Sequence, residues 1–165
     1  MPLTHPIPPC FASDSRCLIL GSFPSVKSRE QGFFYGHPQN RFWRVLAAVY
    51  GQAVPLTIPE KRTLLQACRV ALWDVIASCD IVGSSDSSIR NAVPNDVRPL
   101  LQGSTITRIF TNGKAADALY RKHMQENLGL KAVCLPSTSP ANAAFSLDRL
   151  TQEWRAALLN PSEVK

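Results

Sequence analysis

Two asparagines, Asn40 and Asn112, and a serine–proline stretch over residues 136–142 (PSTSPAN) are the groups in this chain best suited to act on a ligand. They fall in three loop-like segments, 22–39 with the Asn40 that follows it, 112–114 and 136–142, which otherwise hold Ser, Thr, Pro, Gly and aromatic residues. Carboxamides and aromatic faces bind a neutral planar group. Hydroxyls and backbone N–H groups bind phosphate. No close carboxylate pair, H-E-x-x-H motif, G-x-G-x-x-G fingerprint, P-loop or G-x-S-x-G elbow is present, so dinucleotide, nucleoside triphosphate and serine-hydrolase chemistry are not indicated. The five cysteines (Cys10, Cys17, Cys68, Cys79, Cys134) form no C-x-x-C pair and are odd in number, which predicts reduced thiols rather than a zinc site or disulfide framework. No metal and no organic cofactor are expected.

The elements that must position these loops are readable from periodicity. Residues 1–14, with four prolines, read as an extended leader packed on the surface or the core. Cys17 to Gly21 (CLILG) is a short apolar run ending in glycine, a buried strand. Residues 22–39 are too long for a simple turn, and loops of that length are usually functional. Helical spacing of Phe42, Val45, Leu46 and Val49 predicts a helix over 40–50 closed by Gly51. Thr57 and Glu60 make a capping-box pattern for a second helix to about Arg69, followed by an apolar element around Trp73 (ALWDVI). Residues 78–90 are turn-rich and polar, and Asn95 is placed to cap a short helix through Leu101.

A strand over 105–111 then ends at Asn112-Gly113-Lys114, where a helix to about Gln125 begins. Residues 131–135 (KAVCL) form the last strand, and a final helix runs from about Leu147 to Leu159. Ser146 is its expected N-cap, Phe145 and Leu150 its staple, and Leu147, Leu150, Trp154, Ala157 and Leu158 its buried stripe. Strands alternating with helices predict an α/β fold: a three-layer α/β/α sandwich around a mostly parallel four-stranded sheet, one domain over 1–165. In such folds the strand carboxyl ends feed the binding loops.

The 165 residues are 45% hydrophobic and 18% charged, which excludes a disordered or collagen-like chain. No apolar run approaches the ~20 residues of a membrane span, and no secretory signal is visible, so a cytoplasmic address and no membrane partner are expected. The net charge of +6 leans towards polyanion partners, although the cations are scattered rather than clustered in a basic arm.

Gly21-Ser22-Phe23-Pro24-Ser25 followed by Tyr35-Gly36-His37-Pro38-Gln39-Asn40-Arg41-Phe42-Trp43 resembles the first motif of the uracil-DNA glycosylase superfamily. It is most similar to mismatch-type members, which place G-x-N-P before H-P-x-N-R-F-W. LPSTSPANA resembles the second motif, a loop that pinches the DNA backbone and pushes into the minor groove, and TNGKAA the strand end that presents an amide to the flipped base. The matches come in the family's order and span Gly21 to about Ala143. Two positions depart from it: Phe23 replaces the mismatch-type catalytic Asn, and Leu135 precedes Pro136 where founding members carry His. Both departures match the hypoxanthine-DNA glycosylase branch, whose first motif reads G-S-F-P-S.

That resemblance implies a monofunctional enzyme that hydrolyses the N-glycosidic bond of a deaminated base, hypoxanthine first, with uracil or xanthine as further candidates, acting as a monomer on double-stranded DNA. It maps catalysis onto Asn40 and base reading onto Asn112, with Gly21, Ser22 and Phe23 in the base-binding loop. Tyr35 is expected to stack on the base. Ser25, Ser137 and Ser139 are expected to clamp phosphates, Pro140, Ala141 and Asn142 to form the wedge, and Lys114 to meet phosphate.

Blander roles compete. Asn40 and Asn112 suit a helix cap and a turn. Tyr35 suits core packing, with Phe33 or Phe34 stacking instead, and Phe23 suits either lining the pocket or filling the space of the lost amide. Water activation is left open among His37, Asp74 and Asp86. A non-catalytic reader of damaged or single-stranded nucleic acid, which Phe23 favours, is the first alternative, and a hydrolase of free nucleosides the second.

Overall fold

Four strands alternate residue by residue between two hydrophobic clusters. In β2 (Cys17–Gly21), Cys17 and Ile19 face one cluster, and Leu18 and Leu20 the other. The period of two with both faces apolar is what a sheet covered on both sides requires. The computed structural model describes residues 2–160. Met1 and residues 161–165, the ends of the expected 1–165 domain, lie outside the described residues.

With β3 (Val70–Asp74), β6 (Arg108–Asn112) and β7 (Ala132–Leu135), β2 forms a four-stranded parallel sheet in the order β3-β2-β6-β7. Helices α2 (Phe42–Val49), α3 (Ile58–Cys68) and α7 (Leu147–Leu158) cover one face, and Phe42, Trp43, Leu65, Leu150 and Trp154 fill that cluster. On the other face α4 (Arg98–Gln102), α5 (Lys114–His123) and the short α6 (Gln125–Leu128) supply Leu100, Tyr120 and, at the α5–α6 junction, Met124. This is the expected α/β architecture with a parallel four-stranded sheet.

Four local expectations change. A second, antiparallel sheet, β1 (Leu3–Thr4), β4 (Ile76–Asp80) and β5 (Arg90–Pro94), occupies ground read as leader and polar turn. A helix α1 (Val26–Gln31) interrupts the 22–39 loop, capped by Ser25 and stopped by Gly32 in the left-handed region. Asn95 does not cap α4; its Nδ2 donates to the Asp74 carbonyl at 2.9 Å, while Asp96 Oδ1 receives the Arg98 N–H. Leu147, expected in the buried stripe of α7, is 37% exposed because it lies in the first turn, beyond the cover of α2.

The leader is structural. Cys10 pairs with Leu72 through two backbone hydrogen bonds, and Trp73 Nε1 donates to the Ile7 carbonyl. It thereby covers the open edge of β3, the kind of edge that would otherwise template aggregation.

Candidate active site

The carboxyl ends of β2, β3, β6 and β7 open onto one cavity of about 370 Å³. The structure brings to it Gly21, Ser22, Phe23, Ser25, Tyr35, Asn40, Asn112, Ser137, Ser139, Pro140 and Ala141 from the sequence-derived set, together with His37, Asp74 and Asp86. Asn142 and Lys114 are not among the lining residues. Lys114 is exposed at the first residue of α5.

The two amides are joined through Thr138, a fully buried residue that the sequence did not single out. Asn112 Oδ1 accepts the Thr138 backbone N–H at 3.1 Å, so Asn112 Nδ2 is the end that donates to Thr138 Oγ1, at 3.0 Å. Thr138 Oγ1 in turn donates to Asn40 Oδ1 at 2.9 Å, and the same oxygen accepts the Phe42 backbone N–H at 2.9 Å. Backbone N–H groups can only donate, so both amide orientations are fixed by chemistry rather than by assignment. Both carbonyl oxygens are thereby engaged. Asn40 Oδ1 has both lone pairs taken, so that amide has only N–H left for a ligand, while Asn112 keeps one N–H and one carbonyl lone pair. Asn40 therefore supports the start of α2 and keeps its amino group free, which makes the capping and ligand roles compatible.

Tyr35 stacks on Phe42 with ring centroids 4.2 Å apart and planes at 16°, leaving only its other face for a ligand. Its φ of +53° is left-handed, a conformation costing about 1–2 kcal/mol that the stack helps to hold. Its hydroxyl is buried and has no hydrogen-bond partner among the described residues. Burial, reinforced by the Asp74 charge, pushes the phenol pKa far up, against a weaker pull from the nearby Asn112 side chain, so the phenol stays a neutral donor.

Gly21 makes this approach possible, because a Cβ there would collide with Asp74 Oδ1 and crowd the Tyr35 hydroxyl. Gly113, at φ +97°, likewise lets the 112–114 turn pass under Ser137. Phe23 is 7% exposed; it lines the cavity and meets the His5 ring edge-on at 5.8 Å.

Two carboxylates enter from elements whose proximity no spacing could reveal. Asp74, 4% exposed, accepts from His5 Nε2 at 2.7 Å. His5 Nδ1 accepts the Ile7 N–H at 3.1 Å, which makes Nε2 the protonated nitrogen. Asp86, on a 3₁₀ turn (Asp86–Ser88), accepts from Ser22 Oγ at 2.5 Å. Loss of solvent raises the Asp86 pKa; the Ser22 hydrogen bond lowers it, and the Asp74 charge raises it further.

The 136–142 loop is braced by Arg41, also missed in the sequence. Its guanidinium donates to the Ser139 carbonyl at 2.9 Å, to the Asn142 carbonyl at 3.1 Å and to the Phe145 carbonyl. Ser137 Oγ accepts the Ser139 N–H, Ser139 Oγ accepts the Ala141 N–H, and Asn142 Nδ2 donates back to the Ser137 carbonyl. Both serine hydroxyls keep their protons for an anion. Ser25 differs, because its hydroxyl is spent within α1 on Ser28. Pro140 and Ala141 stand exposed at the rim, and Asn142 ties the loop rather than projecting from it. Among the described residues no group of three or more His, Cys, Asp or Glu side chains is placed to hold a metal, and no helix is long and apolar enough to cross a membrane.

Comparison with known proteins places this arrangement. A profile of the Uracil DNA glycosylase superfamily matches residues 8–160. The chain belongs to that superfamily. It is 32% identical over 151 residues, 90% of this chain and 94% of the relative, to a Hypoxanthine DNA glycosylase of Methanosarcina acetivorans. It is 28% identical over 152 residues, 91% of this chain and 94% of the relative, to a Hypoxanthine DNA glycosylase of Methanosarcina barkeri. A solution NMR structure from Methanosarcina acetivorans, titled provisionally as a uracil DNA glycosylase, superimposes with a TM-score of 0.80 at 32% identity, covering 96% of this chain and 97% of that one. Superfamily membership gives the activity class, a DNA glycosylase acting on DNA.

Proposed function

We propose that the protein is a monofunctional glycosylase that hydrolyses deaminated bases from double-stranded DNA, with hypoxanthine as the preferred base. The observation that carries this reading is the convergence of Asn40, Asn112 and Tyr35 on one cavity, where Asn40 presents N–H only and Asn112 keeps an N–H to donate. Deamination replaces an exocyclic amino donor with a carbonyl acceptor. Amide N–H donors match the carbonyl edge, and the amino edge of adenine or cytosine leaves the Asn40 amino group facing a like partner, a mismatch costing about 1–3 kcal/mol. The relatives named Hypoxanthine DNA glycosylase support hypoxanthine among the deaminated bases.

Cleavage moves negative charge onto the departing base while the sugar becomes oxocarbenium-like. Asn40 Nδ2 and the remaining Asn112 N–H stabilise that anion, and a single such donor is worth roughly 3–4 kcal/mol. The base must first leave the duplex, at a cost of a few kcal/mol that is lowest for a mispaired base. The free face of Tyr35 supplies stacking of about 1–3 kcal/mol against that cost. Ser137 and Ser139 offer protons to the flanking phosphates, with Pro140 and Ala141 at the vacated stack. Among the described residues no lysine lines the cavity, which supports hydrolysis without attack by an amine on C1′.

The test is single-turnover incubation with duplexes carrying deoxyinosine, deoxyuridine or deoxyxanthosine, with the freed base measured by chromatography and borohydride used to trap any Schiff base. Release of hypoxanthine faster than of the other bases, with no trapped adduct, is expected. Tight binding with no freed base would identify a non-catalytic reader, and a trapped adduct would contradict the monofunctional mechanism.

A further inference from the structure

Asn40 Oδ1 already accepts from Phe42 N–H and Thr138 Oγ1, and Asn112 Oδ1 from Thr138 N–H; a neutral amide oxygen is in any case too weak a base to take the proton of the attacking water. Phe23 has no acceptor to offer. His37 Nδ1 accepts the Gln39 N–H, so its Nε2 carries the proton and offers no basic lone pair, and two carboxylates remain. Asp74 lies on the cavity floor, 4% exposed and tied to His5. Asp86 lines the cavity at its exposed rim, and among the described residues only its Oδ1 is engaged, by Ser22. Its Oδ2 has no hydrogen-bond partner among the described residues.

We propose that Asp86 is a further catalytic residue, the acceptor of the proton of the nucleophilic water. This rests on the functional reading above and goes beyond it by supplying a group from the β4–β5 connection, outside all three loops that the sequence singled out. In the step, the C1′–N bond breaks and its electron pair leaves with the base. The water oxygen forms the C1′–O bond, and its proton passes to Asp86 Oδ2 and on to solvent. The base anion takes a proton from solvent.

Partial loss of solvent and the Asp74 charge hold the carboxylate pKa above its ordinary value, against the Ser22 hydrogen bond, which lowers it. The charged and titratable groups around it are Asp74 at the end of β3, Tyr35 and His37 in the 22–39 loop, Arg29 of α1 and Arg90 of β5. Both arginines are bonded to backbone carbonyls of this connection, Arg29 to Gly83 and Arg90 to Ser87 and Ile89, rather than to the carboxylate.

Asp86→Asn keeps an acceptor for Ser22 and removes the base. In single-turnover excision from a deoxyinosine duplex it is expected to lower the rate about 100-fold or more. Affinity for a duplex carrying non-cleavable 2′-fluoro-deoxyinosine should stay within a few-fold. The wild-type rate should fall as pH drops through the Asp86 range, because protonation disables the base. That limb should vanish in Asp86→Asn and persist, displaced, in Asp86→Glu, which separates catalysis from a merely structural strap. An Asp86→Asn rate within threefold of wild type, or an unchanged acid limb in that variant, overturns the proposal. Wild type that binds the duplex but frees no base overturns the functional reading itself, and with it this role.

Discussion

Thr138 is the residue on which the two amides depend. It gives its N–H to one, accepts from that one's amino group and donates its hydroxyl to the other. Thr138→Val preserves shape and backbone but leaves Asn112 Nδ2 and Asn40 Oδ1 each short of a partner. A stability loss of about 1–3 kcal/mol in urea denaturation is expected. Because misplacing a catalytic group by about 1 Å can cost 10²-fold, single-turnover excision should fall roughly 100-fold. An unchanged rate would show that the amides hold their orientation without it. The sequence named Asn40, Asn112 and Tyr35 because their residue types and motif positions are distinctive. It passed over Thr138, one hydroxyl in a loop of hydroxyls, since which of them turns inward depends on packing against α2. Arg41 was overlooked for the same reason: its carbonyl partners lie about a hundred positions downstream.

At the level of elements, the parallel sheet was legible because β2, β3, β6 and β7 are short apolar runs with a binding loop after each that matters. The antiparallel sheet was not. β4 buries only Ile76 and Cys79, β5 has no fully buried residue, and β1 has two residues, so their pairing follows from position rather than from pattern. The leader shows the consequence. Its prolines announced an extended segment, but only the fold shows that His5 reaches Asp74 on the cavity floor. Among the described residues His5 is the one side-chain donor to Asp74, a carboxylate only 4% exposed, and His5→Ala removes it. An unfolding free energy lower by about 1–3 kcal/mol is expected, with slower excision as the floor of the cavity loosens. A stability equal to wild type would mean that the leader is passive cover.

Across the whole molecule, chemistry gathers at one edge. Loops from strands far apart in sequence meet there because parallel strands with right-handed crossovers deliver every carboxyl end to the same side. This is why the position of the site could be read before any contact was known, while its polarity could not. The net charge of +6 gives a general attraction to DNA. Lys114 is exposed and does not line the cavity. In the proposed mechanism base expulsion falls to neutral amides aimed by backbone N–H groups. The direct measurement is single-turnover release of hypoxanthine by Asn40→Ala beside wild type, with duplex affinity determined in parallel. A rate lower by about 100-fold or more at nearly unchanged affinity is predicted; hypoxanthine release by the variant at the wild-type rate would contradict it.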